Sequence, residues 1–409
     1  MMNQTRPTVD FDHHSKHYAL NWETIGRDLR ENTPVAWTEA HGGYWILTRY
    51  EDCKRAASEW QTFTSENDVD GTGNGGGGVQ IPSSTFQFAL SESDPPQSTD
   101  LRRIYTPHFV QKAVDGYRAF AEKIANEAID RAIGSGEIEL ARELATPVPA
   151  RTNLRLVGIP DDEWELFAFS TTDMSRFPST HPDYPREAIA KIQQKLFDLV
   201  RARRAEPRQD LASFLVHGTV MGQPMSDEMA VATISAAVFA GFDTVATLSL
   251  NMLILLDEFP ELRERVRTDP RALRNAVDET LRLRPSSHQL GRTAAKDVEI
   301  DGHLIRKGER VLLVWSAANR DPTKFPDPER FDIDRANAGQ HLSFSFGGHR
   351  CLGSLLGKME AEATVQAVLN RIGDYRIERD KVVRYPTNGS VAGFVEVPAR
   401  FAQQRAQAA

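Results

Sequence analysis

Cysteine is almost missing from this chain: only Cys53 and Cys351 occur in 409 residues. That excludes a disulfide-stapled fold and makes a reducing cytoplasm the expected location. Excess positive charge is missing too. Lysine and arginine total 49 against 57 acidic residues, a formal net charge of −8, which argues against a nucleic-acid binder. The opening MMNQTRPTVDFDHHSKHYALN holds no apolar stretch long enough for a signal peptide or anchor. No long linker or internal repeat interrupts the chain, so residues 1–409 are expected to form one large domain. The single low-complexity stretch, DGTGNGGGGV at 70–79, lacks the Gly-Lys-Ser/Thr ending of a phosphate loop. It is expected to be a surface or lid loop.

What is present suits a globular enzyme with a substantial core: 40% hydrophobic and 26% charged residues. Residues 229–256 form an apolar run with one charge, Asp243, long enough to span a bilayer. The other reading is a central helix, apolar all round because protein covers every face. No other segment approaches that length, so no membrane span is expected. Residues 42–50 read as a strand after a Gly-Gly turn, and 51–59 as a short helix. From 94 to 282 the pattern is mainly helical, with breaks at Pro147, Pro160, Pro178, Pro182 and Pro207. After Pro285, DVEIDGHLIRKGERVLL alternates around Asp301-Gly302 and Lys307-Gly308, a hairpin signature. A last helix over 353–371 precedes a β-rich tail. The expected fold class is mostly α, with a smaller β portion near 40–50, 297–315 and 375–400.

FSFGGHRCLG, residues 344–353, carries the most specific chemistry. A sulfur ligand facing a metal needs a water-excluding loop rich in backbone N–H groups. Gly347, Gly348 and Gly353 permit the close approach and unusual dihedrals such a loop requires. The helix that follows points its N-terminus at Cys351 and favours a thiolate. Cys53 sits on a helix without that setting and reads as a small buried hydrophobe. The stretch resembles the haem-binding signature of the cytochrome P450 family, with Phe344, Gly347, Cys351 and Gly353 at its defining positions and Ser345 where many members have glycine. The resemblance implies that Cys351 is the axial ligand of a haem b, that Phe344 packs near the sulfur, and that His349 reaches a propionate. A thiolate ligand pushes electron density onto the iron and favours O–O cleavage.

Other segments fit the same family. Glu279 and Arg282 in ETLR share one helix face and can pair. With Arg330 of PERF they are expected, by resemblance, to form a buried structural network near the haem loop. AGFDTV places Asp243 beside Thr244 inside the apolar run, where a charge is costly unless paired or functional. The residues alone also allow Thr244 to bond back to a helix carbonyl while Asp243 caps a local break. The family match is to an acid–alcohol pair. It implies that Thr244 hydrogen-bonds oxygen at the iron, that Asp243 relays protons, and that Gly241 lets backbone approach the iron. Arg102 and Arg292 are the family's expected propionate partners. Ser98 stands where the family often has a histidine.

Candidate substrate residues are Phe86, Phe88, Val238, Phe239, Ser287, His288, Gln289 and Val391. Phe86 and Phe88 either cover the distal face or belong to a half-buried strand; Val238 and Phe239 are either pocket wall or core. The polar run Ser286-Ser287-His288-Gln289 fits either a substrate with hydrogen-bonding groups or contacts to propionates and water. The turn 388–391 is a further candidate wall. The implied reaction inserts one atom of O2 into a small or medium-sized organic substrate. No flavin or iron–sulfur segment is recognisable, so electrons are expected from a ferredoxin and its reductase, docking near Arg350 and Lys358. The rivals are peroxide-driven or atypical haem-thiolate chemistry (coupling, nitration, rearrangement) and a non-catalytic haem sensor.

Overall fold

A computed structural model describes residues 6–69, 71, 76–83, 88–177 and 181–403. The apolar run lies in the middle of the molecule, where 83% of its most apolar window is covered by protein. That cover explains a helix with no polar stripe. It is two helices rather than one, Asp227–Ala240 and Asp243–Glu258, parted at Gly241 and Phe242. Ser226 caps the first by accepting from the Met229 N–H. At the break the Thr244 hydroxyl donates to the Ala240 carbonyl at 2.8 Å, a side-chain bond of the kind that accompanies bent helices.

Helices Pro147–Val157, Pro270–Leu283 and Ser354–Arg371 pack against this pair, and Gln111–Ala132 packs on Ser354–Arg371 and Pro147–Val157. On one side a five-stranded mixed sheet runs in the order Val35–Thr38, Tyr44–Leu47, Arg310–Val314, Gln289–Ala294, Phe63–Thr64. Only the pairing of Arg310–Val314 with Tyr44–Leu47 is parallel. The expected hairpin pairs Val298–Ile300 with His303–Ile305 across Asp301 and Gly302, both at positive φ, as a two-residue turn requires. The tail adds Tyr375–Ile377 and Pro398–Phe401, the latter also pairing with Glu137–Glu139.

The buried ionic network differs from expectation in one member. Glu279 and Arg282 are fully buried and bidentate, with Arg282 Nε and Nη2 donating at 2.7 and 2.8 Å. The second cation is Arg335, whose Nε donates to Glu279 Oε1 at 3.0 Å. Arg330 is exposed and contributes only its carbonyl, which accepts from Arg282 and Arg335. The turn at Asp327 points the Arg330 side chain outward while its backbone faces the network. Arg282 Nη1 donates to the Asn319 carbonyl at 3.0 Å, and the Asn319 side chain binds Leu342 N and Ser343 Oγ. The network therefore ends on the two residues preceding Phe344.

Candidate active site

The Cys351 loop is fixed by its own backbone. Cys351 N donates to the Phe344 carbonyl at 2.7 Å and Arg350 N to that of Gly347 at 3.2 Å. Gly347 has φ +70, and a Cβ there would lie 2.9 Å from Ser58 Cα, so glycine is needed where the loop crosses the helix Tyr50–Ser58. Ser345, at φ +57, holds a left-handed conformation that glycine would adopt without strain. Its hydroxyl is buried without a partner. Cys351 is exposed to the cavity yet crowded by protein, which pushes its thiol up, opposed by the Gly353 N–H and the Arg102 and Arg350 guanidiniums. A coordinating metal ion deprotonates a thiol outright, so these donors would orient and stabilise the thiolate of a metal-bound Cys351. Cys53 is buried in a separate cluster, its Sγ against the Leu47 carbonyl at 3.2 Å.

Above the loop lies a cavity with about 1460 Å³ of space, part of it open to solvent. Cys351, Phe344 and Leu352 lie on one wall, and Ala240, Gly241 and Thr244 on another. Arg102 and His349 line it as well. His349 Nε2 is buried without a hydrogen bond, 3.8 Å from Asp94 Oδ1. Arg292 is buried behind the wall, donating to the Gly291 carbonyl at 2.7 Å, and burial pushes its pKa down to about 10. One sulfur donor with two cations and an unsatisfied imidazole suits a haem with its two propionates. Ser98 is buried and adds no charge there.

The acid–alcohol pair is split by the helix break. Thr244 faces the cavity, whereas Asp243 turns away from it and is 4% exposed. Thr172 Oγ1 donates to Asp243 Oδ1 at 2.9 Å. Ser175 and Tyr385 lie near but leave Oδ2 without a well-formed hydrogen bond. Burial raises the Asp243 pKa to about 6, against the pull of those hydroxyls. Gly241 lines the cavity, but the contact that demands glycine is Asn153, whose Oδ1 would lie 2.7 Å from a Cβ. A second acid was missed in the sequence. Glu360 is fully buried on the cavity wall, its Oε2 unpartnered, and burial pushes it well above the usual carboxylate range. Its signal was a carboxylate inside the small, apolar helix that follows Cys351.

The candidate substrate residues divide. Phe88 and Ser287 line the cavity; Phe86 lies outside the described residues. Val238 and Phe239 belong to the core, because helical phase gives the cavity face to Ala236, Ala237 and Ala240. His288 points away, its ring 4.5 Å from that of Trp22. Gln289 is spent on the tail turn, donating to the Asn388 carbonyl at 2.6 Å. Val391 is buried off the cavity wall. Both wall serines are satisfied internally: Ser286 Oγ donates to the Thr244 carbonyl and Ser287 Oγ to that of Ser390, each at 2.7 Å. The polarity of this stretch thus ties it to the Thr244 helix and to the tail turn. Leu90, Ser91 and Leu290 complete a largely apolar surface.

This fold, with one cysteine opening on a cavity that Arg102 and His349 also line, is that of a haem-thiolate enzyme. The family model for cytochrome P450 matches residues 159–372. The chain is 31% identical over 373 residues to 6-deoxyerythronolide B hydroxylase of Saccharopolyspora erythraea, covering 88% of this chain and 91% of that enzyme. Cyclomarin C epoxidase of Salinispora arenicola is 30% identical, over 90% and 92% of the two chains. A solved mutant of P450 EryK in complex with erythromycin B superposes with a TM-score of 0.85 at 26% identity, covering 97% of this chain and all of that one. The chain belongs to the cytochrome P450 family, whose members bind haem b through a cysteine thiolate, and it is a P450 monooxygenase.

Proposed function

We propose that this protein, folded as one haem-binding unit in the cytoplasm, inserts one atom of O2 into an apolar organic substrate of medium to macrocyclic size. Cys351 would supply the thiolate that holds the haem, and Arg102, His349 and Arg292 would hold its propionates. The observation that carries this reading is that Cys351 and Thr244 line the same cavity from different walls. Haem bound there supplies oxygen activation and O–O cleavage. The protein's part is to exclude water, place the substrate and deliver protons. Thr244 Oγ1 holds a proton at the cavity surface. Asp243, with its raised pKa, exchanges protons near neutrality and hands them across the break. The Glu360 carboxyl, raised by burial on the helix that follows Cys351, is a second proton store lining the cavity.

Substrate size and polarity follow from the wall. Alanines at 236, 237 and 240 leave width beside Phe88, Leu90 and Leu290, and the serines there are already hydrogen-bonded. The similar 6-deoxyerythronolide B hydroxylase and cyclomarin C epoxidase support a natural-product substrate. Electrons come from a separate ferredoxin docking near Arg350 and Phe346, both exposed by the cysteine loop. Lys358 is a poorer contact, being paired with Asp278 and only 24% exposed. The test is a panel of macrolides and cyclic peptides screened for the spin-state change that follows loss of iron-bound water. Hits should be oxidised with ferredoxin, its reductase and NADPH. Better turnover with hydrogen peroxide would overturn the oxygen-activating assignment, and no spectral response to any organic compound would favour a sensor.

A further inference from the structure

The glycine-rich stretch 70–79 is unexplained by the oxygen chemistry, yet its end and the residues that follow, 76–83, are tightly built. Arg310, from the strand Arg310–Val314, spreads its guanidinium beneath it. Nη2 donates to the carbonyls of Gly78 at 2.9 Å and Gln80 at 2.7 Å; Nη1 donates to Ser83 Oγ at 2.9 Å and to the Gly76 and Gly77 carbonyls. Five acceptors thus converge on one planar fork, which a lysine's compact ammonium cannot reproduce. Glycine makes the convergence possible. A Cβ on Gly77 would lie 2.1 Å from the Glu66 carbonyl, and one on Gly78, at φ +81, would lie 2.4 Å from Glu92 Oε1.

Glu92 grips the same segment by its amides, accepting from Val79 N at 3.1 Å and Phe88 N at 3.0 Å. Its carboxylate is also the leading opposite charge acting on Arg310, which burial pushes down to about 10. The segment is sewn to the sheet where Gly291 N donates to the Val79 carbonyl at 2.7 Å. Gly291's neighbour Leu290 lines the cavity, as do Phe88, Leu90 and Ser91. Both ends of the clamp therefore lead to cavity wall.

We propose that Arg310, with Glu92 opposite, is a positioning residue for ligand selection. It gathers residues 76–83 onto the sheet so that Phe88, Leu90 and Ser91 form a fixed wall for large ligands. The proposal uses the haem-thiolate reading only for a spectroscopic probe. In holoenzyme, Arg310→Lys and Arg310→Met are compared with wild type for binding of imidazole and of the bulky azole clotrimazole, read from the haem absorbance shift. The expected result is a clotrimazole Kd raised at least tenfold in both variants, with the imidazole Kd within twofold. Thermolysin cleavage within 66–92 should accelerate at least tenfold. Glu92→Gln, which keeps the guanidinium, should raise the clotrimazole Kd about threefold. An unchanged clotrimazole Kd, equal weakening of both azoles, or loss of the carbon monoxide thiolate band in these variants would overturn the proposal. A wild type without azole shifts would count against the haem reading instead, and the protease comparison would still decide the clamp.

Discussion

The two walls of the cavity are built on opposite terms. On the cysteine side, polar groups are largely closed off: Glu279 serves two guanidiniums, Arg282 serves three carbonyls, and Asn319 fastens Leu342 and Ser343 just before the loop. At the interrupted helix Asp243 keeps an oxygen without a hydrogen bond, as does Glu360 on the helix that follows Cys351. Partly satisfied buried acids are expensive. The proposed roles follow this contrast: the closed network would hold the cofactor loop, and the open acids would handle protons.

The largest effect is expected where the first wall is broken. Glu279→Gln leaves two buried guanidiniums short of a counter-charge and should destabilise by about 3–5 kcal/mol, seen as a lower denaturant midpoint and lost haem. Arg335→Met should follow it, whereas Arg330→Met should stay within about 0.5 kcal/mol. Equal losses at 330 and 335 would return the network to its expected membership.

On the second wall the expected effects are on turnover first. Asp243→Asn should cut product formation by about 10²-fold, and Thr244→Ala should let NADPH consumption continue with little product. Product per NADPH unchanged in Thr244→Ala would remove its role. Asp243 also makes a stability prediction. A carboxyl raised from 3.8 to about 6 binds more protons folded than unfolded between those values. Stability from this group is therefore greatest below pH 4, falls as pH rises through 6, and is flat above. The span is about 3 kcal/mol, so Asp243→Asn should gain stability over wild type at pH 7.5 and lose that advantage at pH 4. Unfolding midpoints that keep the same difference at both pH values would contradict the buried-acid account.

The smallest effect belongs to the loop itself. Ser345→Gly relieves a positive φ and removes an unpartnered hydroxyl, offset by the entropy of glycine in the unfolded chain. A gain of up to about 1 kcal/mol in thermal unfolding is expected; a loss would mean that the hydroxyl has a partner when haem is bound.

What the residues disclosed in advance follows the same division. The cysteine loop, the ETLR pair and the apolar central helix were legible because each is a local pattern with one dominant physical cause. Arg335 was not, since two arginines follow Pro328 closely and only the turn at Asp327 decides which faces inward. Helical phase hid the cavity face: 238 and 239 lie beside the acid–alcohol pair in sequence, but 236, 237 and 240 share its face. The Ser286–Gln289 run looked like substrate polarity, and tertiary hydrogen bonds to the Thr244, Ser390 and Asn388 carbonyls absorb it. Arg310 could not be read at all, because its five acceptors lie more than two hundred residues away.

The account stands on Cys351 as the sulfur ligand. The direct measurement is the carbon monoxide difference spectrum of reduced wild type, Cys53→Ser and Cys351→Ser. The thiolate band should appear in the first two and be absent from the third. A thiolate band retained in Cys351→Ser would contradict the assignment.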